Sequence, residues 1–228
     1  MKIKDTIANE FNEFSNNYTH DMIACVPHYL VLLSSMTQGL SPNFNPKTIL
    51  DLGCGNGNVT SLLTETFPDS KYTLLDASPE MIALCKQRFK EYQMVYATAY
   101  FNDFQFSVET YDLITAGFSL HHCDLAEKKQ LFKKIYTALK PGGVFAYTDL
   151  MIDKNTAEHS AFLKRWEAFV LTNFPDGEKW EWLVEHYTEF DKPDDLKKQL
   201  QWLRDVGFEN IIPTVKDDYW VHIRAIKT

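Results

Sequence analysis

Arginine is scarce in this chain. Among 228 residues only Arg88, Arg165, Arg204 and Arg224 are arginines, the net charge is −8, and no run of Lys or Arg is long enough to follow a phosphate backbone. Polynucleotide binding ordinarily needs a basic face, so no nucleic acid partner is expected. Long apolar runs are missing too. Met1 to Glu10 has no apolar signal core and Tyr29 to Met36 is far too short to cross a bilayer, so neither a leader nor a membrane partner is expected. The four cysteines, Cys25, Cys54, Cys85 and Cys123, show no C-x-x-C or zinc-like spacing, and no metal-ligand cluster stands out. The expectation is no metal, and reduced, packed thiols in a cytoplasmic protein, with Cys54 and Cys85 in buried elements.

What is present is an ordinary globular composition, 45% hydrophobic and 24% charged, long enough for one domain with a good core. Its most informative stretch is Ile49-Leu50-Asp51-Leu52-Gly53-Cys54-Gly55-Asn56-Gly57. Thr48 to Leu52 reads as a buried strand, the alternating glycines as a sharp turn, and Val59, Leu62, Leu63 and Phe67 recur at helical spacing. Such a unit brings bare backbone and a helix N-terminus up to a small ligand. Asp76, 19 residues past Gly57, closes a second apolar run where a carboxylate can grip a ribose diol. The dinucleotide fingerprint is G-x-G-x-x-G; here the turn is G-x-G-x-G with Asp51 two residues before it. A carboxylate at that point suits a cofactor carrying an ammonium group, not a pyrophosphate.

Strands and helices alternate from residue 47 to 150, the pattern of a parallel sheet with crossover helices. After the first unit come a strand at Tyr72 to Leu75, a helix opened by Ser78-Pro79-Glu80, and a weaker strand at about Met94 to Ala99. A fourth strand, Tyr111 to Ala116, runs into Gly117-Phe118-Ser119-Leu120-His121-His122. A helix carrying Leu131, Phe132, Ile135 and Leu139 ends at Pro141-Gly142-Gly143, and a fifth strand follows at Val144 to Thr148. Two helix-like segments, about Thr156 to Phe174 and Gly177 to Tyr187, then break the alternation. A helix to Val206, stopped by Gly207, and strands at about Asn210 to Val215 and Tyr219 to Ile226 close the chain.

The glycine turn with Asp51 and Asp76, the Leu139-Lys140-Pro141-Gly142-Gly143 punctuation and the late Gly207-Phe208 resemble the class I S-adenosylmethionine-dependent methyltransferases of the small-molecule type. The resemblance covers residues 40 to 150 and, more loosely, the closing helix and strand pair. It implies an α/β, Rossmann-like, doubly wound seven-stranded sheet, mostly parallel with one antiparallel strand, plus a helical lid insert. It divides a single domain, 1–228, into an N-terminal helical lid segment (1–40), a cofactor-binding core (45–150), a helical insert (151–192) and a closing helix and strand pair (193–228). The implied cofactor is S-adenosyl-L-methionine, leaving as S-adenosyl-L-homocysteine, and the implied partner is a small-molecule methyl acceptor met by a monomer or homodimer.

The resemblance also assigns site residues. Asp51 would help hold the methionine ammonium, or else only order the turn, beside Gly53, Cys54, Gly55 and Gly57. Asp76 would accept the ribose hydroxyls, with Ala77 next to it, or serve the following helix as an N-terminal charge. Adenine would be read either by Asp103 after a small loop shift, or by Asn102 and backbone with an aromatic ring such as Phe101 against the base. Met81 would pack on the adenosine or in the core. Ala116, Gly117 and Phe118 would flank the methionine moiety, and His121 or His122 would act as general base or merely support the next helix.

Phe11, Phe14 and Tyr18, then Val26-Pro27, resemble the segment that such enzymes fold over the cofactor. Tyr18 is the candidate for closure or substrate contact, and Thr19 stands where relatives often carry Asp. The tryptophans Trp166, Trp180, Trp182, Trp202 and Trp220 fit either packing of the insert or an aromatic acceptor pocket suited to a planar or cationic substrate. A carboxy-S-adenosylmethionine synthase, which needs an arginine for the added carboxylate, and a non-catalytic S-adenosylmethionine-binding protein are the alternatives.

Overall fold

The computed structural model describes residues 17–228. Phe11, Phe14 and the first part of the expected lid, up to residue 16, lie outside the described residues. Helices α1 (Tyr18–Cys25) and α2 (Tyr29–Ser34) precede the core, which begins with β1 (Thr48–Leu52), α3 (Asn58–Thr66), β2 (Lys71–Asp76), α4 (Pro79–Arg88) and β3 (Met94–Thr98). Then come β4 (Tyr111–Gly117), a 3-10 turn (Leu120–His122), α5 (Leu125–Ala138) and β5 (Leu139–Leu150). The insert is α6 (Glu158–Asn173) and α7 (Glu178–Glu189), and α8 (Leu196–Val206), β6 (Phe208–Lys216) and β7 (Trp220–Lys227) close the chain.

The strands form one seven-stranded sheet in the order β3-β2-β1-β4-β5-β7-β6. β7 pairs antiparallel with both β5 and β6, and the other pairings are parallel. β1 is central because Ile49, Leu50, Asp51 and Leu52 are all buried, as a strand covered on both faces requires. Chain order reverses between β1 and β4, the switch point beside which open α/β sheets bind ligands. Register then levels the strand ends there: Leu52 stands opposite Leu75 on one side and Ala116 on the other. The glycine turn, Asp76 and Gly117 therefore emerge together along one edge.

Alternating residues of β5 feed two cores. Val144, Ala146 and Leu150 meet residues of α2, α3, α4 and α6, while Phe145 and Tyr147 face α5 and α8. Each such aliphatic or aromatic side chain, fully buried, is worth about 1.5–3 kcal/mol. Local rules set the helix limits. Ser78 Oγ accepts from Met81 N–H at 3.1 Å with Pro79 in the first turn, and Asp124 and Glu127 form a reciprocal capping box on α5. Gly207, at φ 111°, stops α8.

Two limits differ from the sequence expectation. The Pro141-Gly142-Gly143 stretch does not separate helix from strand; Leu139 already pairs with Tyr111, and a register shift between Tyr111 and Leu113 absorbs the three residues before Val144. β6 is also longer than predicted, while β7 keeps its predicted length shifted by one residue; their pairing runs from Lys216 opposite Trp220 to Phe208 opposite Lys227. All four cysteines are free thiols and buried. No helix among the described residues is long and apolar enough to cross a membrane.

Candidate active site

The turn after β1 demands glycine. At Gly53, φ is 63° and a Cβ would fall 2.4 Å from Ser119 Cβ, an overlap neither backbone could relieve. Cys54 N–H donates to Leu75 O (3.0 Å), drawing the turn onto the end of β2. Gly55 N–H donates to Asp76 Oδ2 (2.8 Å) and Ser78 N–H to Asp76 Oδ1 (2.9 Å). Each carboxylate oxygen keeps a further lone pair for a ligand hydroxyl. Burial pushes the Asp76 carboxyl up, against the amides of Ser78, Gly55 and Ala77.

Asp51 lies beneath the turn with no exposed surface. It accepts from Thr60 Oγ1 (2.6 Å) and Thr115 Oγ1 (2.9 Å). Burial lifts its carboxyl to about 6 despite those hydroxyls, and the nearby Asp76 adds to the rise. Two carboxylates so close favour a positively charged occupant of the edge. Met81, like Ala116, is fully packed inside, and Ala77 is half-buried beside Asp76.

The three adenine candidates separate. The Phe101 ring reaches the glycine turn, with its Cζ 3.4 Å from the place a Gly53 Cβ would occupy. Asn102 instead donates its amide to Glu127 Oε1 at 2.8 Å, and Asp103 is exposed on a turn.

Helix α1 is fastened over this edge. Tyr18 lies against Gly55, its Cε1 3.5 Å from the position of a Cβ there. Burial pushes the Tyr18 phenol well above its usual value. Thr19 works as a clip: its hydroxyl accepts from Asn56 Nδ2 (2.8 Å) and donates to Asn58 Oδ1 (3.0 Å). Asn58 also donates to Tyr29 Oη at 2.9 Å. The insert grips the same helix from above, through Trp166 Nε1 to Cys25 O (2.6 Å), Asn173 Nδ2 to Ala24 O (3.1 Å) and Lys179 Nζ to Asp21 Oδ2 (2.7 Å).

Between α1, the insert and the ends of β4 and β5 is a cavity of about 80 Å³. Its apolar wall is built from the rings of Tyr18, Phe118, Trp166, Trp182 and Trp220. His121, His122, His186 and Asp191 form its polar end. Packing accounts for Trp202, in the α5–α8 core, and for Trp180, edgewise on Trp166, while Trp166, Trp182 and Trp220 line the cavity. Phe118, at φ 53°, turns the chain out of β4 and delivers the two histidines to the cavity.

The histidines meet two carboxylates that sequence reasoning missed. His121 Nδ1 pairs with Asp149 Oδ1 near the end of β5, while His121 Nε2 stands 3.7 Å from Asp191 Oδ1. His122 Nδ1 and His186 Nε2 are 3.2 and 3.7 Å from that same oxygen. Burial opposes charge on His121, but Asp149 and Asp191 prevail and raise it to about 9. Burial and then His121 hold His122 below its ordinary value, and burial takes His186 down to about 4. Burial would raise Asp191, but the three imidazoles hold it below the usual carboxylate range.

Asp191 is held in place from behind. Lys154 Nζ donates to Asp191 O (2.7 Å), and the buried Lys128 donates to Lys192 O (3.0 Å) and Asp194 Oδ2 (2.7 Å). Asp149 carried a usable signal, an acid near the C-terminal end of a strand at the ligand edge. Asp191 and His186 carried none, lying in an insert with no recognisable spacing. Among the described residues, one ligand atom from each of His121, His122 and Asp191 falls within 4.8 Å of the others, a grouping that sequence spacing did not display.

Residues 49–143 match a family described as a methyltransferase domain. Over 138 residues the chain is 35% identical to trans-aconitate 2-methyltransferase of Escherichia coli, which covers 59% of this chain and 50% of that protein. Over 171 residues it is 26% identical to demethylmenaquinone methyltransferase of Thermotoga maritima, covering 72% of this chain and 71% of that one. Among solved structures, Haemonchus contortus phosphoethanolamine N-methyltransferase 2 in complex with S-adenosyl-L-methionine aligns at a TM-score of 0.63 and 16% identity, over 95% of this chain and 60% of that one. That likeness is one of fold. The chain spans about half the length of the trans-aconitate methyltransferases it matches. The glycine turn and Asp76 lie in the stretch that matches the methyltransferase domain, and with the seven-stranded sheet and the methyltransferase relatives they support a class I S-adenosylmethionine-dependent methyltransferase. The residues at the sheet edge fit the cofactor of that class: bare glycine backbone, a carboxylate with free lone pairs, and a buried Asn56 Oδ1 that has no hydrogen-bond partner.

Proposed function

We propose that the chain transfers a methyl group, in line, from S-adenosylmethionine to a small-molecule acceptor held in the cavity between α1 and the insert. The observation that carries this reading is the continuity of the two sites: Tyr18 touches the glycine turn and also lines the cavity. When bound, the cofactor supplies an electrophilic methyl on a sulfonium. Asp76 would take the ribose hydroxyls, Phe101 would lie against adenine, and the Asp51–Asp76 pair would favour the cofactor's positive charge from below and beside it.

The remaining work belongs to the chain. Clamping the acceptor against the aromatic wall restricts it to productive orientations, an effect worth on the order of 7–11 kcal/mol in well-aligned systems. The roof of α1 and the insert excludes water. The His121–His122–Asp191 end of the cavity faces the acceptor heteroatom and is the place for its proton to go. A roofed cavity suits a compact acceptor rather than a polymer, in keeping with the low-molecular-weight acceptor named for the trans-aconitate relative. The four arginines argue against a carboxy-cofactor synthase. Arg88 bonds Asn56 O and Asn58, Arg165 faces Asp218, Arg224 bonds Gln38 O, and Arg204 sits on α8.

The test is to incubate the purified chain and methyl-labelled cofactor separately with the small-molecule, protein and RNA fractions of a cell extract. Label should appear in a low-mass product together with adenosylhomocysteine. Label found only in protein or RNA would refute the small acceptor. Cofactor binding with no transfer to any fraction would leave a non-catalytic binding protein.

A further inference from the structure

We propose that His121 Nε2, His122 Nδ1 and Asp191 bind a divalent first-row metal ion, of the zinc class, at the polar end of the cavity. His121 has the arrangement typical of a metal-ligating imidazole, with Nδ1 paired to the buried Asp149 carboxylate and Nε2 turned inward. Asp191 Oδ1 is buried and accepts no aligned hydrogen bond. Around it stand His121 Nε2, His122 Nδ1 and His186 Nε2 at 3.7, 3.2 and 3.7 Å. Zinc–nitrogen and zinc–oxygen bonds of about 2.0–2.2 Å in a tetrahedron leave neighbouring ligand atoms about 3.3 Å apart. The 3.2 Å separation matches that spacing, and the two 3.7 Å separations lie within a few tenths of an ångström of it.

Charge and donor type agree. With the His121 Nε2 proton displaced to solvent by the ion, two imidazoles and a carboxylate form a nitrogen-rich donor set that suits zinc, ferrous iron, cobalt or nickel and disfavours magnesium. With Asp149 behind His121, two carboxylates balance a dication. Lys154 and Lys128 fix the loop that carries Asp191, so the third ligand is positioned before any ion arrives. His186 is placed to hold the outer side of Asp191. Protein ligands on one side leave coordination positions directed into the cavity, where an oxygen or nitrogen of the bound molecule completes the shell. Binding of the ion stands apart from methyl transfer; only its use by the acceptor rests on the proposed activity.

The experiment uses the full chain after chelator treatment. Calorimetry with zinc should give one bound equivalent, and cobalt should develop the strong visible bands of a low-coordinate site instead of the faint colour of its aqueous ion. His122→Ala and Asp191→Asn should each weaken zinc at least about a hundredfold, and Asp149→Asn by about 10–100-fold. His28→Ala, which alters the surface His28–Asp217 pair, should change nothing. Adenosylhomocysteine affinity, measured alongside, reports whether each variant is folded and separates this inference from the cofactor reading. Absence of a stoichiometric zinc site in the unaltered chain, or cobalt bands that persist in a folded His122→Ala, Asp191→Asn double variant, would overturn the proposal. Should the variants not fold, the cobalt spectrum and zinc stoichiometry of the unaltered chain decide it by themselves.

Discussion

The two halves of the site are built on opposite plans. The cofactor edge is made by one continuous stretch and its neighbour: bare backbone at Gly53 and Gly55, and two carboxylates at the ends of β1 and β2. The cavity proposed for the acceptor is made by side chains from α1, β5, the turn after β4 and the insert, brought together by packing. The first tolerates almost no change of shape, because its geometry is the backbone's. The second can be refitted one side chain at a time. On the proposed reading, that contrast would suit a fixed cofactor and a variable acceptor.

If the halves are separable, their variants should fail in different ways. The largest effect is expected at the acceptor end, where His122→Ala should lower transfer by about 10²–10⁴-fold while leaving adenosylhomocysteine affinity unchanged. A loss of cofactor affinity in that variant would break the comparison. Next in size is Asp76→Ala, which removes charged acceptors whose hydrogen bonds are worth about 1.5–3 kcal/mol each. Calorimetry should show the dissociation constant for adenosylhomocysteine rising at least about tenfold, with the thermal midpoint retained. Trp182→Ala, in the cavity wall, should raise the acceptor KM several-fold and leave the cofactor constant alone.

The smallest effect is one of pH. Asp51 ionises near 3.8 when unfolded and near 6 when folded. Between those values the native chain holds a proton that the unfolded chain has lost, so stability falls as pH rises through the window and stays lower above it. The scale is roughly 1.4 kcal/mol per pH unit of separation. Asp51→Asn should reduce that slope in denaturant titrations from about pH 4 to 7, leaving the share that the raised Asp76 contributes, because amide and hydroxyls can still pair. It should also weaken cofactor binding at neutral pH. An unchanged slope would show that Asp51 is not the group responsible.

The grouping of the glycine turn, Asp51 and Asp76 at one sheet edge was legible in the sequence for the same reason that it is rigid. Alternating glycines with Asp51 and Asp76 are local chemistry, and strand register carries them to one edge without help from distant residues. Ser78, Pro79 and Gly207 were likewise readable as helix limits. The acceptor end was not. Asp191 acquires meaning only when Lys128 and Lys154 pin its loop beneath the 3-10 turn, and His186 only when α7 folds back toward that loop. The histidine pair itself was visible, but its carboxylates lie 28 residues (Asp149) and about seventy (Asp191) further along, beyond any spacing rule. Thr19 gave a misleading signal. Its departure from the family's usual Asp pointed away from a defined role, yet its hydroxyl joins Asn56 to Asn58.

That hydroxyl has a consequence for timing. α1 covers the glycine turn with Tyr18 and the cavity with Met22 and Cys25, so one helix is the door to both rooms. Its latch is attached on the cofactor side, at Asn56, and its hinge plate on the insert side, at Trp166 and Lys179. On the proposed reading, an acceptor would exchange by flexing the insert while the latch stays shut, and spent cofactor would leave only after the latch opens. Departure would be ordered, with the methylated product first and adenosylhomocysteine last, and the slow event of each cycle would be the door and not the bond. Thr19→Val should therefore quicken release of adenosylhomocysteine in stopped-flow traces and make turnover less sensitive to solvent viscosity.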